Sequence, residues 1–199
     1  MSTLWWLGSR KKLHQWPWSK WEKPLSKRSN FPKIDKDFYG TTDPRAVEPL
    51  VPFIRGKTYA EPCYGNGDLE ELLMDVVTCK WRSDIRETVE SSVVKGAMEV
   101  TSVDLKDCDL IITNPPFTKS VLLPMLDHFI TMKPTWLLLP ADYLHNAYFG
   151  PYMRKCSKVV SIGRLKWFKD SQASSTDNFC WYFWPKGATQ EQTIFKGRN

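Results

Sequence analysis

The stretch from Asp109 to Phe117, Asp-Leu-Ile-Ile-Thr-Asn-Pro-Pro-Phe, joins a continuous apolar run to a rigid proline-containing segment. An apolar run without polar alternation is typical of a strand buried on both faces, as in a parallel sheet. The two prolines fix the backbone and lack N–H donors, so the strand is expected to end before them. The stretch therefore predicts a parallel α/β sheet with the Asn114 amide at the carboxyl end of one strand.

Strand and helix patterns alternate along the rest of the chain. Further strands are predicted at 57–61, 78–83, 135–139 and 159–162. Helices are predicted from an Asp43 cap to Gly56, from an Asp68 cap to Val76, at 120–132 and at 143–156, the last interrupted by Gly150 and Pro151. Residues 164–168 and 179–184 read as the two arms of a hairpin around a polar loop. This order predicts an α/β fold: a mostly parallel central sheet, helices on both faces and a C-terminal antiparallel hairpin.

Composition excludes several classes of protein. The chain has 199 residues, enough for one ordinary domain and an appendage, and its 42% hydrophobic content argues against wholesale disorder. Its 5 cysteines are scattered without a CxxC pair, which disfavours a disulfide framework or a zinc site, and no other metal site is predicted. No apolar run is long enough to span a bilayer, and the N-terminus does not resemble a signal peptide. The expected location is the cytoplasm, with no membrane partner.

Charge is distributed unevenly along the chain. The net charge of +6 divides into a basic segment of residues 1–36, an acidic segment of residues 37–109 and a basic segment of residues 110–199. Residues 1–36 combine five tryptophans with basic side chains, among them Arg10, Lys11, Lys12 and Lys20. Cations and flat aromatic rings are typical of a sequence-tolerant nucleic-acid arm. Tryptophans that clamp the arm onto the domain, and a solvated surface of uneven charge, remain alternative interpretations.

Two more strand ends carry residues suited to ligand binding. The first strand is followed by the glycine-containing loop from Glu61 to Asp68, whose Gly65 and Gly67 allow a sharp bend and close approach to a ligand. The second strand ends at Asp84, whose carboxylate could accept two ribose hydroxyls or cap a helix. Ligands of open α/β sheets bind at the carboxyl ends of the strands, so the two segments and Asn114 are expected to converge there.

These residues resemble the phage-type S-adenosylmethionine-dependent N6-adenine DNA methyltransferases. Asn114, Pro115, Pro116 and Phe117 match the catalytic motif of that group, and residues 61–67 match its cofactor loop. Residues 37–41 match its upstream segment, and the resemblance extends to about residue 185 with the gamma-like order of motifs. It implies a Rossmann-like methyltransferase domain at 37–199 that follows the basic, tryptophan-rich arm at 1–36. If the gene is phage-encoded, the expected location is the host cytoplasm.

The resemblance also implies roles for individual residues. Asn114 and Pro115 are expected to accept hydrogen bonds from the N6 amino group of a flipped adenine, beside Pro116, while Phe117 stacks on its ring. Glu99 is the expected contact for the cofactor's adenine, with Asp107 and Asp109 as alternatives. The residues expected to hold S-adenosyl-L-methionine are Asp37, Phe38, Tyr39, Thr41, Glu61, Pro62, Gly65, Gly67, Asp84 and Glu99.

No segment of about a hundred residues remains for a separate target-recognition domain. DNA contacts are therefore expected from the basic N-terminal arm and from Lys119, Lys166, Lys169 and Asn178. Low sequence specificity or a short target is the expected consequence, and the sequence leaves the oligomeric state open. The alternatives are methylation of adenine in RNA, methylation of a glutamine amide in protein, and nucleic-acid binding without turnover.

Overall fold

An eight-stranded sheet forms the centre of the protein in the computed structural model, which describes residues 39–90, 92–168, 173–187 and 192–198. The strand order across the sheet is β3-β2-β1-β4-β5-β7-β6-β8. The strands are β1 Thr58–Glu61, β2 Thr78–Asp84, β3 Val93–Val94, β4 Leu110–Thr113, β5 Thr135–Pro140, β6 Lys158–Gly163, β7 Phe179–Trp184 and β8 Ile194–Lys196.

Most strand pairs are parallel. The antiparallel pairs join β7 to β5 and to β6, near the C-terminal end of the chain. The α-helices are α1 Val51–Ile54, α2 Asp68–Leu73, α3 Lys119–Met132 and α4 Gly150–Met153, and short 3₁₀ helices cover Pro44–Ala46, Ala97–Glu99, Ala141–His145 and Ala147–Phe149. The predicted fold class, including the antiparallel C-terminal hairpin, is confirmed.

Each face of the sheet carries its own apolar core, because alternate side chains of a strand point to opposite faces. Ile111 packs with Leu126 and Phe129 of α3 on one face. Ile112 packs with Ile54 of α1 and with α2 on the other. All four β4 residues are buried, as expected for a strand covered on both faces.

Two predicted helices are divided into shorter ones. In the segment 143–156 the predicted interruption at Gly150 and Pro151 is confirmed, because α4 begins at Gly150 with Pro151 in its first turn. A further break that was not predicted occurs at Asn146, which is extended (φ −81°, ψ 122°). The helix predicted between Asp43 and Gly56 is divided in the same way, with Pro52 in the first turn of α1. The predicted Asp43 cap is confirmed by its bond from the backbone N–H of Arg45.

Two other boundaries differ from the prediction. Residues 164–168 are not a hairpin arm; β6, at Lys158–Gly163, pairs with β7 instead. Gly163, at φ +95°, turns the chain away, and the Lys166 backbone then bonds to Asp43 and Thr42 instead of a strand. Helix α2 is capped by Gly67 at φ +84°, not by Asp68. None of the described helices has the length and apolar character needed to cross a membrane.

Candidate functional site

A cavity of about 730 Å³ lies at the carboxyl ends of β1, β2 and β4. The chain runs outward from β1 to β3 on one side of the sheet and from β4 to β5 on the other, so the strand order reverses between β1 and β4. Helices leave neighbouring strands in opposite directions at such a point and open a crevice between them. Glu61 follows from β1, Asp84 from β2 and Asn114 from β4, and all three line this cavity.

The loop between β1 and α2 is held against the end of β2. The backbone N–H of Gly65 donates to Asp84 Oδ2 at 2.9 Å, and the backbone N–H of Tyr64 donates to the Ser83 carbonyl at 2.9 Å. The Tyr64 hydroxyl donates to Glu70 of α2 at 2.7 Å, and Glu70 also forms an ion pair with Arg82 of β2. These bonds fix the loop that forms one wall of the cavity.

Asp84 is a buried carboxylate, 6% exposed, at the end of β2. Besides the Gly65 bond, its Oδ1 accepts the backbone N–H of Arg86 at 3.0 Å and lies 3.3 Å from the Arg86 guanidinium nitrogen Nε. It does not cap a helix, which leaves ligand binding as the prediction for this position. The contacts orient the carboxylate while leaving the residue on the cavity wall.

Glu61 is the least exposed acid in the cavity wall, at 2%. Its Oε2 has no hydrogen-bond partner among the described residues. Burial, together with the neighbouring Glu70 carboxylate, raises the pKa of Glu61 well above its usual range, although Arg82 opposes the shift. A buried carboxyl without a partner is stabilised by a cationic donor, because ionisation without one is costly.

The Asn114 side chain is oriented by a hydrogen bond from its amide nitrogen. Its Nδ2 donates to the Tyr39 carbonyl at 2.8 Å, and only the nitrogen end of an amide can donate, so the Oδ1 end is defined by this bond. Asn114 Oδ1 is buried and has no partner among the described residues. The backbone after it is also fixed: Pro115 is buried, and the Tyr143 hydroxyl donates to the Phe117 carbonyl at 2.7 Å.

Three buried polar atoms in the wall of one cavity thus have no partner in the described part of the chain: Thr41 Oγ1, Glu61 Oε2 and Asn114 Oδ1. Buried polar groups in folded proteins nearly always have a partner. Their convergence on one cavity indicates a polar ligand with both donors and acceptors.

Cys63 also lines the cavity but is poorly suited to nucleophilic chemistry. Burial raises the pKa of the Cys63 thiol to about 12, so it stays protonated at neutral pH. In the part of the chain that the structure describes, no three His, Cys, Asp or Glu residues are grouped as metal ligands.

Most of the described residues predicted for the site lie together. Those that line the cavity are Tyr39, Thr41, Glu61, Pro62, Gly65, Asp84, Glu99, Asn114 and Pro116. Gly67 shapes the neighbouring turn as the cap of α2. Glu99 bonds the backbone N–H of Gly96 through Oε2, at 2.7 Å. Its alternative Asp109 is excluded as a cavity residue, because its Oδ2 accepts the Thr58 backbone N–H at the opposite end of the strands, and Asp107 does not line the cavity either.

The other predicted residues lie away from the cavity wall or outside the described part. The Phe117 ring packs against Trp167 and Phe179, with ring centres 6.5 and 5.8 Å apart, rather than facing the cavity. Lys119 is exposed with its ammonium 4.3 Å from the centre of the Tyr148 ring, Lys166 is half-buried, and Asn178 is exposed. Residues outside the described ranges are Arg10, Lys11, Lys12, Lys20, Asp37, Phe38 and Lys169.

The predicted site did not include several apolar residues of the cavity wall, among them Ile85 and Met98, or Tyr143, which bonds the Phe117 carbonyl. Ile85 is 76% exposed and Met98 50% exposed, although both are large apolar side chains, and both line the cavity. Ile85 follows Asp84 in the sequence and Met98 precedes Glu99, and this adjacency to predicted site residues could have indicated that both line the cavity. Tyr143 carried no motif signal, because its bond to Phe117 joins segments 26 residues apart.

Comparison with solved structures relates the whole fold to known proteins. A proposed RNA methyltransferase from Pyrococcus horikoshii superposes with a TM-score of 0.53 and 14% identity, covering 79% of this chain and 91% of that one. The chain has a Rossmann-like methyltransferase fold. A dimethyladenosine transferase from Plasmodium falciparum gives a TM-score of 0.50 and 16% identity, covering 71% of this chain and 59% of that one.

A proposed hemolysin from Lactococcus lactis superposes with a TM-score of 0.50 and 10% identity, covering 79% of this chain and 94% of that one. Identities of this size establish the fold alone, so a specific activity must be argued from the site. No protein-family model and no curated protein sequence matches the chain.

Proposed function

We propose that this protein transfers a methyl group from S-adenosyl-L-methionine to the N6 amino group of adenine in DNA. The observation that carries the proposal is Asn114 Oδ1, which has no partner among the described residues. The bond from Asn114 Nδ2 to the Tyr39 carbonyl orients this amide in the wall of a cavity that Glu61 and Asp84 also line. An oriented amide oxygen in one cavity with two buried carboxyl side chains suits an amino group as methyl acceptor next to a cofactor that carries ribose hydroxyls and an ammonium group.

The cavity fits the cofactor in size and in chemistry. Its volume of about 730 Å³ is within the range of small-molecule sites, roughly 300–1,000 Å³. Glu61 offers an unpartnered carboxyl oxygen for an ammonium group, and Asp84 offers carboxylate oxygens for ribose hydroxyls. The apolar side chains of Ile85 and Met98 suit the faces of a flat adenine ring. S-adenosyl-L-methionine, the expected cofactor of this fold, supplies a methyl group activated by its positively charged sulfur.

Residues at the front of the cavity complete the proposed cofactor site. The Thr41 hydroxyl has no partner among the described residues and can donate or accept, and Tyr39, whose carbonyl accepts the Asn114 bond, also lines the cavity. Asp37 and Phe38 precede this segment in the chain and are included in the proposed site. Glu99 lines the cavity and is included in the proposed cofactor site, although its Oε2 already accepts the Gly96 backbone N–H at the start of the Ala97–Glu99 turn.

Asn114 acts by position and by charge. Its Oδ1, together with the Pro115 carbonyl, accepts hydrogen bonds from an amino group and stabilises the positive charge that develops on nitrogen. The amide is held before substrate arrives, so little reorganisation is needed. An amino nitrogen held by acceptors keeps its lone pair for the methyl group and becomes positively charged when the methyl group is transferred. No strong general base is required, because this acidic nitrogen then loses a proton to water. The motif residue Phe117 packs against the Trp167 ring, which in turn packs against Phe179.

DNA is the preferred acceptor because of the charge pattern and the motif. The chain carries basic segments at 1–36 and 110–199, and polyanion binding requires cations that neutralise phosphates. An adenine within a duplex must leave the base stack to reach a cavity of this kind. The proposed DNA contacts are the basic arm, Lys119, Lys166, Lys169 and Asn178.

The proposal is tested by methyl transfer from radiolabelled S-adenosyl-L-methionine to DNA, RNA and protein in parallel. DNA is expected to be labelled by the wild type and left unlabelled by Asn114→Ala. Asn146→Ala is the matched control, because the Asn146 amide bonds the Tyr148 hydroxyl at 3.4 Å and does not line the cavity. Label only in RNA or protein, or label in DNA that survives Asn114→Ala, would contradict the proposal.

A further inference from the structure

Asp43 connects two segments of the chain that are far apart in sequence. Its side chain is buried, and its Oδ2 accepts the backbone N–H of Lys166, 123 residues away, at 3.0 Å. Its two oxygens also accept bonds from the Arg45 backbone N–H at 3.1 Å and from the Arg45 guanidinium. Burial by itself would raise the pKa of Asp43, but the bonds from Arg45 and Lys166 keep that pKa below its usual value. Asp43 is therefore a charged acceptor that ties the loop 164–168 to the segment 39–45.

The same two segments meet again closer to the cavity. The Thr42 hydroxyl donates to the Lys166 carbonyl at 3.4 Å, and the Tyr39 ring lies against the Trp167 ring with centres 5.9 Å apart. Trp167 also contacts Phe117 of the Asn-Pro-Pro-Phe motif. The loop 164–168 thus packs against the segment 39–45, part of which lines the cavity, and against Phe117 of the motif.

The segment 39–45 determines how the Asn114 amide is oriented. The Tyr39 carbonyl accepts the Asn114 Nδ2 bond, so displacement of Tyr39 releases the amide and lets its oxygen turn. Neither Asp43 nor Lys166 lines the cavity, which means that Asp43 can affect the reacting atoms only through the segment it holds. Contacts run from Asp43 through the loop and Tyr39 to Asn114.

We propose that Asp43 is a positioning residue that couples the loop 164–168 to the orientation of the Asn114 amide. The inference rests on the proposed function, in which Lys166 of this loop contacts the nucleic acid. Binding of the polymer on the loop then stabilises the arrangement in which Asn114 Oδ1 is ready to accept an amino group. The methyl-transfer step depends on the bond between Asp43 and Lys166, whereas cofactor binding does not.

The test measures kcat, the KM for DNA and the Kd for the cofactor in Asp43→Ala. The kcat is expected to fall about tenfold, while the cofactor Kd changes less than about twofold, since a tenfold effect lies within the range of coupling between residues in contact. Asp43→Asn keeps an acceptor oxygen for Lys166 and is expected to recover much of the lost kcat. Asp109→Ala is the matched control, because Asp109 also bonds a distant backbone N–H, that of Thr58, at 2.8 Å, but at the opposite end of the sheet.

A double mutant separates positioning from a purely structural role. Asn114→Ser keeps a hydroxyl acceptor but has no amide for Tyr39 to orient, so adding Asp43→Ala is expected to lower its kcat by less than about twofold. The same tenfold loss in both backgrounds, or an equal loss in Asp109→Ala, would refute the coupling while leaving the proposed function intact. A wild type that labels neither DNA nor RNA nor protein would overturn both.

Discussion

Replacing Gly67 with alanine perturbs the loop between β1 and α2 at one defined contact. Gly67 has φ +84°, and a Cβ atom there would lie 2.7 Å from the Tyr64 hydroxyl oxygen. A left-handed backbone costs a residue with a side chain about 1–2 kcal/mol. The Tyr64 hydroxyl must also move from Glu70, which it bonds at 2.7 Å, and the loss of such a hydrogen bond costs about 1 kcal/mol more. We expect Gly67→Ala to lower the free energy of unfolding by about 2–3 kcal/mol.

Gly56→Ala is the matched control for backbone strain. Gly56 has φ +75°, but nothing lies within 4 Å of its added Cβ. Thermal unfolding should therefore show Gly67→Ala melting about 2–4 °C below Gly56→Ala, the shift expected for about 1 kcal/mol in a domain of this size. Calorimetric titration with S-adenosyl-L-methionine should show an affinity loss of about tenfold or more for Gly67→Ala, and none for Gly56→Ala. Equal melting temperatures and an unchanged cofactor Kd would contradict both the proposed clash with Tyr64 and the role of this loop in cofactor binding.

Three further predictions concern proton linkage, the motif backbone and the N-terminal arm. Burial raises the pKa of Glu61 in the folded protein above the value of about 4.5 expected in the unfolded chain. The protonated Glu61 side chain therefore contributes to the free energy of unfolding below about pH 4.5, and this contribution is lost as the pH rises through the folded-state pKa. Thermal melts across pH should show this loss in the wild type and not in Glu61→Gln, and titration in buffers of different ionisation enthalpy should show proton release when the cofactor binds. Tyr143→Phe removes the bond to the Phe117 carbonyl, so kcat should fall about threefold to tenfold with little change in cofactor Kd; an unchanged kcat in steady-state assays would exclude a positioning role. Deleting residues 1–30 should weaken DNA binding and flatten its dependence on salt, and an unaltered salt slope in fluorescence titrations would contradict an electrostatic role for the arm.

Strands β1, β2, β4 and β5 and the polar residues at their ends were predictable because their signals are local, whereas the short edge strands β3 and β8 were not predicted. The apolar run of β4 and the polar residues that follow β1, β2 and β4 depend only on neighbours in sequence and on the rule that parallel strands present their carboxyl ends together. That rule was enough to bring Glu61, Asp84 and Asn114 to one cavity.

The loop 164–168 shows why other parts were not predictable. Leu165 and Trp167 are buried and Lys166 is less so, which is the alternation of a strand. Trp167 is nevertheless buried by Tyr39, Phe117 and Phe179, not by a strand partner. A local pattern cannot reveal a contact such as Asp43 with Lys166, which joins residues 123 positions apart.

Phe117 illustrates the same limit within the motif. Its side chain was expected to stack on a substrate ring, and the structure places it against Trp167 and Phe179. Its aromatic character fits either environment, so the residue type alone did not decide between them. The stacking role stays a prediction for the substrate-bound protein.

The most direct measurement of the central claim is mass spectrometry of nucleosides from DNA incubated with the protein and S-adenosyl-L-methionine. We expect N6-methyldeoxyadenosine in the wild-type reaction and none with Asn114→Ala, while Asn146→Ala gives the wild-type product. A methyl group found only on cytosine, or N6-methyldeoxyadenosine formed equally by Asn114→Ala, would contradict the role assigned to the Asn114 oxygen.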